Sequence, residues 1–437
     1  MRISAATIPA TVILTALCLG LLPSPSAAQQ PLAEFLQSAK ERSLDVREAG
    51  TAIAQAQAQA SEARARLLPS LMGQASYQRN YPVISVSVPT GMQDVMGMPI
   101  TRQAVITPGN QYGAIATLTV PLVDLSAWSA YSSAKASAKA AETSQEVVQQ
   151  SVSIAVTQLW YALVAQRAMV EAALRNLQAT QVSRDSVARL VEVGIAGQLE
   201  LARSEAELAR AKQSLADAQL QATLTARNLA NLTGLEASDA AVQLDTSAGD
   251  AAPPIAKEEQ AVDHLPAVRA ALAQAEAADA ANSGAWKALL PSIAANTAAR
   301  WNNAAGFGKK YTYYAGVTAT WLLDFVKPAR IANTDAAIAG AKVRAMRAEQ
   351  EAQTAIFEAQ QRVETSRTNV DAMIVAKEAS QRAVLDAKAR FESGTATQLD
   401  LIQAQRDAFQ AEVAVIQAAA NLQVAREVLD IRRGLSQ

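Results

Sequence analysis

The sequence predicts a mainly α protein with a small β part: two internally duplicated, long coiled-coil helical hairpins and four transmembrane β-strands per subunit, which close a barrel only with other subunits. Three observations carry this expectation. The stretch Arg390-Phe-Glu-Ser-Gly394-Thr-Ala-Thr-Gln-Leu399-Asp400-Leu401 is matched 200 positions earlier by Leu190-Val-Glu-Val-Gly194-Ile-Ala-Gly-Gln-Leu199-Glu200-Leu201. Each puts a helix-breaking glycine between long segments without proline, and a duplicated architecture has to be recognised before any local assignment. Short segments of strict period two precede each hairpin, which is the pattern of strands.

Composition narrows the function classes. The 437 residues are 50% hydrophobic and 18% charged with a net charge of −1, so neither a disordered tail nor a nucleic-acid partner is expected. Aromatics make up only 4%, and alanine is the commonest residue, which favours closely packed helices over a thick core.

Residues 1–28 have the marks of a secretory signal peptide: Met1-Arg2, a largely apolar run from 5 to 22, and Ser26-Ala27-Ala28 as the cleavage site, giving a mature start at Gln29. A membrane anchor is disfavoured, because so short a run containing Pro9 spans poorly. The only cysteine, Cys18, falls inside the signal, and Leu17 before it disfavours lipidation. The exported chain then has no thiol for disulfides, metal sites or nucleophilic catalysis.

The first repeat, residues 29–234, opens with a helix from 31 to 66 that stops at Leu67-Leu68-Pro69-Ser70. Alternation at Leu71, Gly73, Ala75, Tyr77 and at Ile84, Val86, Val88 predicts a strand at about 71–88, and alternation around Tyr112 to Leu122 a second at about 105–123. The prolines and glycines from 89 to 110 predict a loop between them. From Leu122 to Ala252 there is no proline, so 125–233 forms a long helical hairpin with its turn at Gly194 to Gly197. Its first helix would run roughly 100 Å. Leu201, Leu208, Leu215, Ala222 and Leu229 keep a strict heptad, which implies left-handed supercoiling.

Residues 235–258, with Pro253-Pro254, form a linker. The second repeat, 259–437, replays the order: a helix to 288, Leu289-Leu290-Pro291-Ser292, strands at about 292–304 and 310–324, and a hairpin over 329–432 with the heptad Leu401, Ala408, Val415, Leu422, Leu429. The strands, apolar and aromatic on one face and small or polar on the other, resemble membrane-barrel strands. Four cannot close a barrel, since about eight is the practical minimum. A soluble helical body carrying two surface hairpins is the plainer alternative.

The export signal, the two Leu-Leu-Pro-Ser breaks, the strand ends at Asp124 and Asp324 and the two glycine turns together resemble the TolC-type outer-membrane efflux protein family, over essentially the whole mature chain. The resemblance implies a homotrimer in the outer membrane of a Gram-negative bacterium, with a shared twelve-stranded β-barrel among outer-membrane lipid and an α-barrel reaching into the periplasm. It implies an exit duct for a tripartite efflux pump or type I secretion system, partnered by a periplasmic adaptor (membrane fusion) protein and an inner-membrane transporter that supplies the energy and largely chooses the cargo. A periplasmic coiled-coil scaffold without a pore is the alternative function.

The resemblance also assigns residues. Gly194, Ile195, Ala196, Gly394, Thr395 and Ala396 occupy the adaptor-docking tips, and Asp400, Gln403 and Glu200 occupy the periplasmic gate. The family pattern has two aspartates three residues apart; here Asp400 holds the first position and Gln403 the second. The pattern's tethering arginine and tyrosine fall on Ala396 and Phe391, which leaves Glu200 without that tether. Helix-start acids favoured by the macrodipole explain Glu200 and Asp400 equally well.

No enzyme is expected. His264 is the only histidine and sits in Asp263-His-Leu-Pro266 as a surface or capping residue. The Gly306-Phe-Gly-Lys-Lys310 run lacks the spacing of a phosphate loop. Glu258-Glu259 is charge near a helix start. With metal-ligand spacing absent, no cofactor is expected.

Overall fold

The computed structural model describes residues 32–93, 95–237, 244, 262–304 and 308–435. The expected signal peptide, most of the linker, Glu258-Glu259 and the start of the 306–310 run lie outside the described residues.

Helix α1 (Leu32–Arg42) and helix α2 (Leu44–Ala65) lead into β1 (Ser70–Arg79), β2 (Ile84–Gln93), β3 (Pro99–Thr107) and β4 (Asn110–Val123), followed by α3 (Leu125–Glu192) and α4 (Gln198–Thr233). The second repeat gives α5 (Pro266–Lys287), β5 (Ser292–Asn302), β6 (Tyr311–Thr320), α6 (Val326–Glu392) and α7 (Gln398–Arg433). At 68 and 67 residues, α3 and α6 each span roughly 100 Å.

The Asp124 and Asp324 positions have a local physical role. Asp124 Oδ1 accepts from the Ala127 amide at 2.9 Å and from the Ser126 hydroxyl at 2.8 Å. Asp324 Oδ1 accepts from the amides of Val326 and Lys327 at 3.1 and 3.0 Å. Each carboxylate satisfies amides that the first turn of a long helix leaves without partners.

The strand order β1-β4-β5-β6 is repeated by the helices attached to those strands. Helix α2 packs on α3, α3 on α5, and α5 on α6; further from the sheet, α4 packs on α3, α3 on α7, and α7 on α6. Thus α3 and α6 each pack both on the helices next to the sheet and on those further from it, and α1 packs against α2, α3 and α4. Phe35 and Ala39 of α1 join Val152, Val156, Trp160, Leu163, Val164 and Leu229 in one buried cluster, while Ala359, Val363, Val370, Leu422, Ala425 and Leu429 form another between α6 and α7. Ala165, Ala172, Ile416 and Ala420 close the α3–α7 contact. Alanine at these seams lets helix backbones approach closely, and it accounts for the alanine-rich composition.

The structure corrects the expected loop at 89–110. β2 and β3 pair as a separate antiparallel ribbon, and the single strand expected at 71–88 is two strands, β1 and β2. Asn80 makes the break: its amide donates to Gly109 O at 2.8 Å, and its side chain donates to Pro108 O and Gln111 Oε1 at 3.1 and 2.9 Å. These bonds tie the ends of β1 and β4 together and leave the ribbon to project beyond them. The misleading prolines sit where a strand tolerates them, Pro89 beside a register shift and Pro99 at the first position of β3.

Candidate functional site

The four-stranded sheet has two chemically distinct faces. Leu71, Gly73, Ala75 and Tyr77 of β1 stand opposite Leu118, Ala116, Ala114 and Tyr112 of β4. The same face continues through Ala116↔Ala299 and Ala114↔Trp301 into β5, then through Ala295↔Val317, Ala299↔Tyr313 and Trp301↔Tyr311 into β6. Because side chains alternate along a strand, the other face carries Gln74, Gln78, Thr117, Thr119, Asn296, Arg300, Thr312 and Thr318.

Among the described residues no helix covers the apolar face. Tyr313 is 89% exposed and Leu71 76%, and the outer strands β1 and β6 each have one unpaired edge within the sheet. Where the sheet meets the helices, Trp128, Trp286, Trp321, Leu322, Leu323 and Phe325 are also exposed, with the Trp321 indole donating to Leu289 O at 2.9 Å. Apolar face, interfacial aromatics and polar face are the elements of a membrane-barrel wall.

At the far ends of the long helices the two turns are near copies. Gly194 and Gly394 take the left-handed conformation, with φ of 75° and 74°, which favours glycine. Leu190 O accepts from the amides of Ile195 and Ala196 at 2.8 and 3.1 Å, and Arg390 O accepts from those of Thr395 and Ala396 at 2.8 and 3.2 Å. The alanines contribute backbone to the turn and leave their side chains half-buried at its surface, between exposed Gly194, Ile195, Gly394 and Thr395.

The two tip acids cap the returning helices. Glu200 Oε2 accepts from the Gly197 amide at 3.1 Å. Asp400 Oδ2 accepts from the Thr397 amide and hydroxyl at 2.8 and 2.7 Å, and the Asp400 amide donates back to that hydroxyl at 3.3 Å. This is a reciprocal capping box. The hydroxyl and then the amide of Thr397 hold the Asp400 carboxyl below its ordinary pKa, so it is ionised at neutral pH. Gln403, three residues on, is exposed.

A feature that the sequence reading missed lies further up the helices. Arg406 of α7 forks onto Glu207 of α4: its Nε donates to Oε1 at 2.9 Å and its Nη2 to Oε2. Arg210 adds a contact to Glu207 Oε2 at 3.3 Å. The hydrogen bond from Arg406 is the main cause that holds the Glu207 carboxyl below its usual range, against a smaller upward push from burial. A carboxyl lowered in this way keeps its ion pair through neutral pH and loses it only on acidification through the lowered value. Arg175 of α3 meets Glu412 of α7 at 2.8 Å, and Arg184 of α3 meets Glu205 of α4 at 3.2 Å. Charged pairs therefore pin helix α7 to the first hairpin at two levels, Arg406–Glu207 and Arg175–Glu412. The available signal was an acid and a base about ten residues beyond the two turns, but their convergence depends on packing between the repeats.

His264 places Nε2 3.5 Å from Arg433 O at the end of α7, as a capping histidine would. Among the described residues no group of three or more His, Cys, Asp or Glu is placed to hold a metal ion.

The sequence matches the family described as outer membrane efflux protein over residues 35–235 and 259–431, one stretch in each repeat. No curated protein matches it. Among solved structures, CusC superposes with a TM-score of 0.77 at 15% identity, covering 93% of this chain and 92% of that one. The Campylobacter jejuni CmeC outer membrane channel gives 0.74 at 17% identity, covering 99% and 95%. The outer membrane protein VceC of Vibrio cholerae gives 0.71 at 15% identity, covering 92% and 96%. At these identities the likeness is one of fold.

Proposed function

The chain belongs to the outer membrane efflux protein family, and we propose that three copies form one continuous duct from the periplasm to the cell exterior. The observation that carries this reading is the open sheet with one apolar face, one polar face and two unpaired edges. Unpaired backbone groups are costly within a bilayer, and neighbouring copies can satisfy them by pairing β6 of one with β1 of the next. Four strands per copy then close a wall of about twelve, above the practical minimum. The polar face lines the lumen, the apolar face meets lipid, and the long hairpins continue the tube into the periplasm.

In this reading the tips at Gly194–Ala196 and Gly394–Ala396 dock a periplasmic adaptor, which links the duct to an inner-membrane transporter. Glu200 and Gln403 lie at the same periplasmic aperture. Asp400 contributes a ring of carboxylates, whose like charges repel or share a cation in a narrow lumen. The Glu207–Arg406 bridge supplies the closing tether, in place of one made directly at Glu200.

Single-channel recording in planar bilayers tests this division of labour. Asp400→Asn retains a cap acceptor but loses the charge, so divalent cations should block the channel less while closure is retained. Arg406→Gln should instead raise resting conductance, and acidification should do the same to the unsubstituted protein. Unchanged cation block in Asp400→Asn would make Asp400 a capping residue only, and unchanged conductance in Arg406→Gln would remove the tether role.

A further inference from the structure

The β2–β3 ribbon has no counterpart among the described elements of the second repeat, and its chemistry is unlike that of the four-stranded sheet. Three of the chain's eight methionines fall within seven residues at its far end: Met92, Met96 and Met98. Methionine ordinarily fills irregular gaps in a core, yet these are 69%, 90% and 66% exposed. The last pair of the ribbon is Gln93↔Pro99. Met92 on β2 and Met98 just before β3 flank that pair diagonally across the ribbon, at the register shift that separates it from Pro89↔Thr101. Diagonal neighbours of this kind lie about 7–8 Å apart, within reach of long side chains. Met96 sits in the connecting turn, and Gly97, at φ 80°, reverses the chain between it and Met98. The Thr90 hydroxyl donates to Ile100 O at 2.7 Å and fixes the ribbon just behind this group.

We propose that Met92, Met96 and Met98 form a binding site for a soft monovalent cation, Cu(I) or Ag(I), at the end of the ribbon furthest from the helices. Thioether sulfur is a neutral, polarizable donor that suits Cu(I)-like ions, whereas Mg²⁺ and Ca²⁺ prefer oxygen. A thioether carries no proton to displace, so binding needs no deprotonation, unlike a site of thiolate or imidazole. The site stands on the local geometry of the ribbon and does not depend on the gate or on adaptor docking.

The test is isothermal titration of the purified full chain with Ag(I), a redox-inert probe, against the variant M92L/M96L/M98L. Both proteins carry Cys18→Ser, so that the one thiol of the sequence does not contribute. Leucine preserves apolar bulk and removes sulfur, so a ribbon tip that only makes apolar contacts would behave alike in both proteins. The expected result is a saturable Ag(I) step in the parent, unchanged between about pH 5 and 7, a range across which an imidazole would titrate. That step should be lost in the variant, while circular dichroism stays the same. Should the triple variant fail to fold, M92L/M98L takes its place, with loss of the same step expected. Absence of the step in the parent, a step that weakens with acid, or its retention in the leucine variant overturns the proposal.

Discussion

Arginine at Val317 should abolish accumulation of assembled protein in the outer membrane, whereas arginine at the adjacent Thr318 should leave assembly intact. Val317 pairs with Ala295 on the apolar face and is 67% exposed in the isolated subunit. It lies midway between Tyr313 and Trp321 in sequence, aromatics suited to the two membrane interfaces, and so falls near mid-bilayer. A lipid-facing arginine at that depth costs roughly 2–4 kcal/mol, and symmetry repeats the penalty in every subunit. Thr318 pairs with Ala294 on the other face, where arginine would meet lumenal water. Fractionation with heat-modifiability of the band reads both outcomes; equal assembly of the two variants would refute the assignment of faces.

The second large effect is expected at the tips. Ala196→Arg and Ala396→Arg should each abolish efflux without lowering trimer yield. The turns are built from backbone bonds to Leu190 O and Arg390 O, and both alanine side chains lie at the half-exposed turn surface. A bulky charge there leaves the turn intact and, on the proposed docking, obstructs the adaptor. Drug susceptibility of cells carrying each variant, with co-purification of the adaptor, checks this. Normal efflux from both variants would remove the docking assignment.

Much of this architecture was legible because its signals are local and repeated. The glycine turns reappear with matching hydrogen bonds at Gly194 and Gly394, since only a left-handed residue ends such a helix cheaply. The second-copy heptad is buried at Leu401, Val415, Leu422 and Leu429. The first copy is fully buried only at Leu229, because α4 packs chiefly on one neighbour, α3. The β2–β3 ribbon was missed because prolines and glycines at a register shift and at strand ends look like a loop in sequence. Of the site, the turns were legible, but the capping role of Asp400 could be offered only as one of two readings. The Glu207–Arg406 bridge could not be foreseen, because no periodicity within one hairpin encodes a contact between hairpins.

The central claim is that one chain is a third of a closed duct, and the most direct measurement is the mass of the detergent-purified complex by native mass spectrometry. A species of three chains that dissociates on heating with loss of its strand signal is expected, because each subunit leaves β1 and β6 with an unpaired edge. A stable monomer retaining its full strand content in detergent would contradict it.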